Sequence, residues 1–163
     1  MEGMISKPIH MEISTEKISL TEMDMERWMN NYGDHLLRLC TLYLKDRTLA
    51  EDAVQDTYIR AWEYRNSFEG RSKEKTWLTK IAMNICKNIL RSPWNRKTDL
   101  KDFEELAGVS KNEYEKINKQ IDVMNAILKL KEKYRIVVLL FYYEELSVKE
   151  IAYASGYNSE QYF

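Results

Sequence analysis

The chain has 163 residues, of which 44% are hydrophobic, and this is enough for one folded domain or two small ones. Its longest apolar run, Ile136 to Tyr143, has eight residues. A membrane-spanning helix needs about 20, so the composition argues against a transmembrane protein. The net charge of −1 gives no indication of nucleic-acid binding, although opposed patches can cancel in such an average.

Residue types that commonly form catalytic or metal sites are scarce. Cys40 and Cys86 are spaced like neither a disulfide framework nor a zinc site, and the histidines are His10 and His35. No glycine-rich phosphate loop occurs, and no nucleophile can be paired with a base. The N-terminus lacks the features of a secretory signal. We therefore expect a reduced, cytoplasmic protein that is not an enzyme and uses no metal or cofactor.

Helical periodicity recurs along the chain, and five glycines and two prolines leave little strand-and-turn signal, so the predicted class is all-α. Residues 1–19 show no periodicity and predict a flexible tail. A first helical unit covers 20–93, since Pro93 should end a helix. We predict a flexible acidic linker over 94–118 and a second helical unit over 119–163.

Charge changes sign near the predicted domain boundary. Residues 71–97 hold eight basic side chains against one acid, whereas residues 98–116 hold six acids against three lysines. A basic surface on the first unit followed by an acidic linker is consistent with this pattern.

The first unit is predicted to contain three helices. The first runs from about residue 20 to 44, and Gly33 is a candidate break. Its apolar stripe comprises Met25, Trp28, Met29, Tyr32, Leu36, Leu39, Cys40 and Tyr43. The second helix follows a capping-box pattern made by Thr48 and Glu51. Its predicted core face comprises Ala50, Val54, Thr57, Tyr58 and Ala61.

The outer face of the second helix is acidic with an apolar centre. We call it the acidic stripe, and it comprises Asp52, Gln55, Asp56, Ile59 and Glu63. A charged helical stripe is often only a solvated face. Ile59 among acids instead suits a protein interface, in which an apolar core lies inside a charged rim. The pattern alone leaves both alternatives open.

The third helix is predicted from Lys73 to Ser92, with Ser72 as N-cap. Its core residues are Leu78, Ile81, Ala82, Ile85 and Ile89. Its opposite side, the basic face, comprises Lys80, Asn84, Lys87, Asn88 and Arg91. Trp77 is predicted at the edge of this polar face. Cations neutralise phosphates, amides read base edges and rings stack on bases, so the face predicts nucleic-acid binding. The alternative is a solvated face with Trp77 packed inward.

The loop before this helix, residues 66–74, contains Phe68, Gly70, Arg71 and Lys73. Such a loop could hold an extruded base, or could be a simple connection.

The second unit resembles a helix-turn-helix. One helix face is formed by Ile117, Ile121, Met124 and Leu128. The segment "YRIVVLLFYYEEL" then predicts a buried helix, although its periodicity is also compatible with a strand. Ser147 and Glu150 form a capping box, Gly156 suits a helix end, and Ser159 can cap another helix. The given sequence ends at Phe163, so we expect most of the recognition helix to be missing.

From Trp28 to Phe163 the chain resembles bacterial RNA polymerase sigma factors of the extracytoplasmic-function (ECF) group of the sigma-70 family. The resemblance is carried, in order, by "LAEDAVQDTYIRAW", "FEGRSKEKTWLTKIAMNICKNIL" and "LKLKEKYRIVVLLFYYEELSVKEIAYASGYNSEQ". It implies sigma region 2 in the first unit and a truncated sigma region 4 in the second.

The resemblance also implies roles for the two faces. Asp52, Gln55, Asp56, Ile59 and Arg60 are expected to dock on the clamp helices of core RNA polymerase. The expected contacts to the minus-10 promoter element are Phe68, Arg71, Lys73, Trp77, Lys80, Asn84, Lys87, Asn88 and Arg91. The partial helix-turn-helix comprises Ser147, Glu150, Gly156 and Ser159.

The partners implied by the resemblance are core RNA polymerase (clamp helices and flap), promoter DNA and an anti-sigma factor. Four functional hypotheses remain at this point. They are a sigma factor that recognises and melts the minus-10 element, a truncated polymerase-binding decoy, a stand-alone repressor, and a helical protein-protein adaptor without nucleic-acid function. The missing recognition helix argues against the repressor.

Overall fold

A computed structural model describes residues 20–95 and 122–157, and all of its regular structure there is helical. The first unit contains α1 (Glu22–Leu44), α2 (Arg47–Glu63) and α3 (Glu74–Arg91), with 3-10 turns at Arg65–Ser67 and Pro93–Asn95. The second contains α4 (residues 122–128), α5 (Glu132–Val138), a π-helical turn (Leu139–Tyr143) and α6 (Val148–Ser155). The all-α prediction is confirmed. The predicted tail and most of the predicted linker lie outside the described residues.

Helix α1 forms the centre of the first unit. Asp24 accepts hydrogen bonds from the backbone N–H and the hydroxyl of Thr21, at 2.8 and 2.9 Å. The helix passes through Gly33 without a break, so the suggested interruption is wrong. Met29, predicted on the apolar stripe, is 49% exposed, because the side of α1 that packs on the core is narrower than the predicted apolar stripe.

The predicted N-cap of α2 is wrong. The helix begins at Arg47, and the side chain of Asp46 accepts the backbone N–H of Leu49 at 2.9 Å. Thr48 therefore lies inside the first turn, and Glu51 pairs with Arg47 one turn earlier at 3.1 Å. Asp is among the preferred N-cap residues, and it precedes the predicted box by two positions.

The predicted N-cap of α3 is also wrong. The capping position is Lys73 rather than Ser72, and its side chain makes no capping bond. The first helical residue, Glu74, instead accepts two hydrogen bonds from the guanidinium of Arg27, at 2.8 and 2.7 Å. This bidentate pair ties the start of α3 to α1.

Trp77 packs inward, so its predicted place at the polar surface is wrong. It is 8% exposed, as is Phe68 from the preceding loop. Ring centroids lie 5.7 Å apart between Trp28 and Trp77 and 5.1 Å apart between Phe68 and Trp77. Burying three large rings together provides much of the apolar area of this small core.

The helix-turn-helix prediction is confirmed for the part of the second unit that the structure describes. Ser147 and Glu150 form the capping box, and Gly156 ends α6 with a positive φ of 67°. Ser159 lies outside the described residues. The segment predicted as a buried helix is only partly buried, since Phe141 and Tyr142 of the π-helical turn are 47% and 74% exposed. No helix in the described ranges is long and apolar enough to cross a membrane.

Candidate functional site

The acidic stripe on α2 is exposed over its whole length. Ile59 at its centre is 57% exposed. Within the described residues, no ion pair forms to Asp52, Asp56 or Glu63. The stripe therefore combines uncompensated negative charge with an exposed apolar side chain, as a site for a basic protein surface requires.

The inner face of α2 explains why the stripe is held outward. Ala50, Ala53 and Ala61 are fully buried, and these small side chains let α2 approach its neighbours closely. The hydroxyl of Tyr58 donates to the backbone carbonyl of Trp28 at 3.2 Å, and burial raises the pKa of Tyr58 to about 12. Ala53 was not among the predicted core residues, although it lies between two that were.

The basic face of α3 is only partly accessible. Asn88 and Arg91 are exposed, whereas Lys80, Asn84 and Lys87 are partly buried. Burial lowers the pKa of Lys87, and the nearby charges of Arg91 and Lys80 lower it further. This electrostatic environment agrees with the sequence, in which residues 71–97 hold eight basic side chains against one acid.

Helix α6 covers the buried part of the basic face. The ammonium of Lys87 donates a hydrogen bond to the backbone carbonyl of Ser155. Lys80 lies 4.0 Å from the ring centroid of Tyr153, and Lys87 lies 4.8 Å from that of Tyr157. Cations over aromatic faces are attracted by the ring quadrupole. The family resemblance implied a folded-back form held by an anti-sigma factor, but the contacts that close one unit on the other were not predicted from the sequence.

The loop before α3 divides into a buried and an exposed part. Phe68 belongs to the core, and the side chain of Arg71 is 87% exposed and pairs with Glu69 at 2.7 Å. Lys73 is exposed as well. Gly70 has a φ of 70°, a conformation that suits glycine. The loop thus places two cations beside the N-terminal end of the basic face.

Comparison with known proteins assigns both units. Residues 28–96 match the family described as Sigma-70 region 2, and residues 120–154 match Sigma-70, region 4. The ECF RNA polymerase sigma-E factor of Haemophilus influenzae is 31% identical over 136 residues, covering 76% of this chain and 71% of that protein. The chain belongs to the ECF group of the sigma-70 family. Such sigma factors serve promoter-specific transcription, which implies binding to core RNA polymerase and promoter DNA, and the family is not one of enzymes.

Two further ECF relatives come from Bacillus subtilis (strain 168). The ECF RNA polymerase sigma factor SigW is 29% identical over 166 residues, covering 93% of this chain and 84% of that protein. The ECF RNA polymerase sigma factor SigM is 26% identical over 136 residues, covering 80% and 81%. The similarity therefore extends across both units of this sigma factor.

Sequence reasoning missed the residues that join the two units of this ECF sigma factor. These are His35 and Lys75 in the first unit and Arg135 and Glu144 in the second. Arg135 is 3% exposed directly before the apolar run, and a charged residue there was the available signal. Within the described residues no group of His, Cys, Asp and Glu could hold a metal ion.

Proposed function

We propose that this ECF sigma factor acts in the cytoplasm as the promoter-specificity subunit of RNA polymerase. It binds the core enzyme through the acidic stripe, and it recognises and helps to melt the minus-10 element through the basic face. The polymerase supplies the chemistry of RNA synthesis. The observation that carries the proposal is the separation of one exposed acidic surface and one uncompensated basic surface on a single three-helix unit.

The acidic stripe supports docking on the clamp helices of polymerase. Asp52 and Asp56 are exposed and free of ion pairs within the described residues, so docking breaks no such contact. Gln55 and Arg60 are exposed on the same helix and add hydrogen-bonding capacity, while Ile59 supplies apolar area. Charge complementarity mainly sets the rate of encounter and the register of such a complex.

The basic face supports contact with the minus-10 strand. Lys80, Lys87 and Arg91 can neutralise phosphates, and Asn84 and Asn88 can read base edges. Binding to separated bases offsets an unpairing cost on the order of a few kcal/mol per flipped base. Arg71 and Lys73 extend the positive surface along the preceding loop.

Phe68 and Trp77 require a different role from the one the sequence suggested. Both rings are 8% exposed and contact each other in the core, so in this conformation neither offers a free face to a base. We assign them to positioning the loop against α3. Direct DNA contact then falls to the polar side chains of the basic face.

We also propose that residues 20–93 and 119–163 are the two domains and that residues 94–118 link them. By resemblance, the second domain contacts the polymerase flap, and an anti-sigma factor regulates the protein. The exposed rings of Phe141 and Tyr142 give that domain apolar surface for a protein partner.

Two binding measurements on the full chain test the proposal. Asp52→Lys should abolish binding to core polymerase, whereas Glu51→Lys, a matched change on the same helix outside the stripe, should retain it. Fluorescence anisotropy with a labelled single-stranded minus-10 oligonucleotide should show weaker binding by Asn84→Ala. Polymerase or protein binding without any salt-dependent DNA binding would favour an adaptor instead.

A further inference from the structure

We propose that Glu144 is an electrostatic latch that holds the second domain over the basic face and so keeps this sigma factor closed to DNA. The occlusion part of this inference rests on the proposed function of the basic face. The latch itself rests on contacts between the two domains alone.

The π-helical turn at the end of α5 places the latch. The backbone N–H of Glu144 donates to the carbonyl of Leu139 at 3.1 Å, five residues earlier. The next residue, Glu145, has a φ of 55°, a left-handed conformation that is uncommon for a residue with a side chain. Rare backbone geometry of this kind is found at functional sites, where surrounding contacts maintain it. Here it directs Glu144 toward the first domain.

The carboxylate of Glu144 is buried against His35 and Lys75 of the first domain. Its side chain is 1% exposed, it lies against the imidazole of His35, and it forms an ion pair with Lys75 at 3.2 Å. The ring of Tyr143 stacks on His35 with centroids 5.1 Å apart. Among the described residues, neither carboxylate oxygen has a partner with hydrogen-bonding geometry. Charge pairing across the interface is therefore what compensates the loss of water around this carboxylate.

This arrangement makes closure sensitive to the cation of Lys75 and to its neighbour His35. When the domains separate, the carboxylate of Glu144 is hydrated again, so it no longer needs a positively charged partner to offset its burial. When a cation is lost in the closed state, a buried carboxylate keeps too little compensation. His35 and Lys75 have side chains 27% and 36% exposed, so replacing them leaves the core of either domain intact.

Closure and DNA binding compete for the same surface. Lys87 is bonded to the backbone of α6, and Lys80 lies under the ring of Tyr153. The fit is tight at Gly156, where an added Cβ would lie 2.9 Å from Nζ of Lys87 and 3.4 Å from Oδ1 of Asn84. These three polar groups are only partly exposed while α6 covers them, so a nucleic-acid strand cannot contact them fully. The acidic stripe stays exposed in the same conformation, so polymerase can dock before the latch opens.

The decisive variant is Lys75→Glu, with Lys129→Glu as a control of equal charge change at an exposed site of the second domain. Small-angle X-ray scattering should show a larger radius of gyration for Lys75→Glu alone. Affinity for a single-stranded minus-10 oligonucleotide should rise about tenfold, as expected when a binding-competent state goes from a small fraction to dominant. If Lys75→Glu acted only by removing positive charge, the affinity for the oligonucleotide would fall instead, because losing positive charge weakens DNA binding.

A charge swap provides the second arm. Lys75→Glu with Glu144→Lys restores an attractive pair across the interface, so scattering and DNA affinity should both return toward wild type. Far-UV circular dichroism establishes that each variant is folded. An unchanged radius of gyration in folded Lys75→Glu would overturn the latch.

The two proposals fail differently in this experiment. Expansion of Lys75→Glu without oligonucleotide binding by any variant supports the latch and contradicts the proposed DNA function. The occlusion is overturned if the wild-type protein binds the oligonucleotide and the expanded Lys75→Glu variant binds it no more tightly. The covered face would then not be the DNA surface.

Discussion

Arg135 of α5 closes the C-terminal end of α1 by donating two hydrogen bonds to the backbone carbonyl of Tyr43. The distances are 3.0 Å from Nε and 2.8 Å from Nη2, and a third bond from Nη1 reaches the carbonyl of Leu130 at 2.7 Å. The last carbonyls of a helix lack intrahelical partners and carry the negative end of its dipole. One buried cation thus joins the two domains and orders the turn before α5.

Replacing Arg135 with methionine should lower the free energy of unfolding by about 2–3 kcal/mol, because charge-assisted bonds are lost and the buried carbonyl of Tyr43 loses its donor. Urea denaturation followed by circular dichroism measures this change. Lys133→Met, at an exposed position of the same helix, should stay within about 0.5 kcal/mol of wild type. Equal effects of the two substitutions would show that the bonds to Tyr43 add no stability.

The salt dependence of DNA binding tests the role of Arg91, which is exposed at the end of the basic face. If Arg91 contacts a phosphate, Arg91→Gln should reduce the slope of log affinity against log salt by about 0.7 on a single strand. Lys129→Gln removes one exposed charge elsewhere and should leave the slope unchanged. An unaltered slope in Arg91→Gln removes this side chain from the DNA interface.

The Arg27–Glu74 pair predicts a pH-dependent stability of the first domain. The hydrogen bonds from Arg27 hold the pKa of Glu74 below its ordinary value of 4.5. A lowered pKa in the folded state means that the stabilisation is complete above pH 4.5 and is lost as the pH falls through the lower, folded-state pKa. Unfolding curves of wild type and Glu74→Gln should therefore differ at pH 7 and converge in acid. A difference that grows in acid would contradict this assignment.

Lys45 is a site where glycine should stabilise the protein. It ends α1 with a φ of 58°, and its backbone N–H donates to the carbonyl of Thr41 at 2.8 Å. Glycine adopts this conformation without the steric cost that a Cβ brings, so Lys45→Gly should be about 0.5–1 kcal/mol more stable than Lys45→Ala. Thermal unfolding of the two variants isolates the backbone effect, since both lack the lysine side chain. Equal stabilities would mean that the left-handed residue carries no strain.

Periodicity was sufficient to predict the helices and the exposed acidic stripe. In α2 and α3, residues with helical spacing lie on the same face of the helix, because each helix packs against the core with one side. The capping box at Ser147 was also predictable, since both of its partners lie within four residues. Local sequence patterns therefore predicted the helices and the exposed surface of α2.

The remaining features depend on contacts between distant segments. The pattern of α3 alone places Trp77 at the edge of the polar face. Trp77 is buried because it packs against the rings of Trp28 and Phe68, which come from other segments. The π-helical turn changes the phase of the chain before Glu144, which a constant helical period cannot predict. The cover over Lys87 comes from a residue 68 positions away, so no local pattern indicates it.

The central claim is tested most directly by run-off transcription with core polymerase and promoter fragments that differ in the minus-10 element. Wild-type protein is predicted to direct specific initiation, Asp52→Lys to abolish it without unfolding the protein, and Asn84→Ala to change the preferred minus-10 sequence. Full promoter-specific initiation by a folded Asp52→Lys variant, with unchanged preference in Asn84→Ala, would contradict the roles assigned to both surfaces.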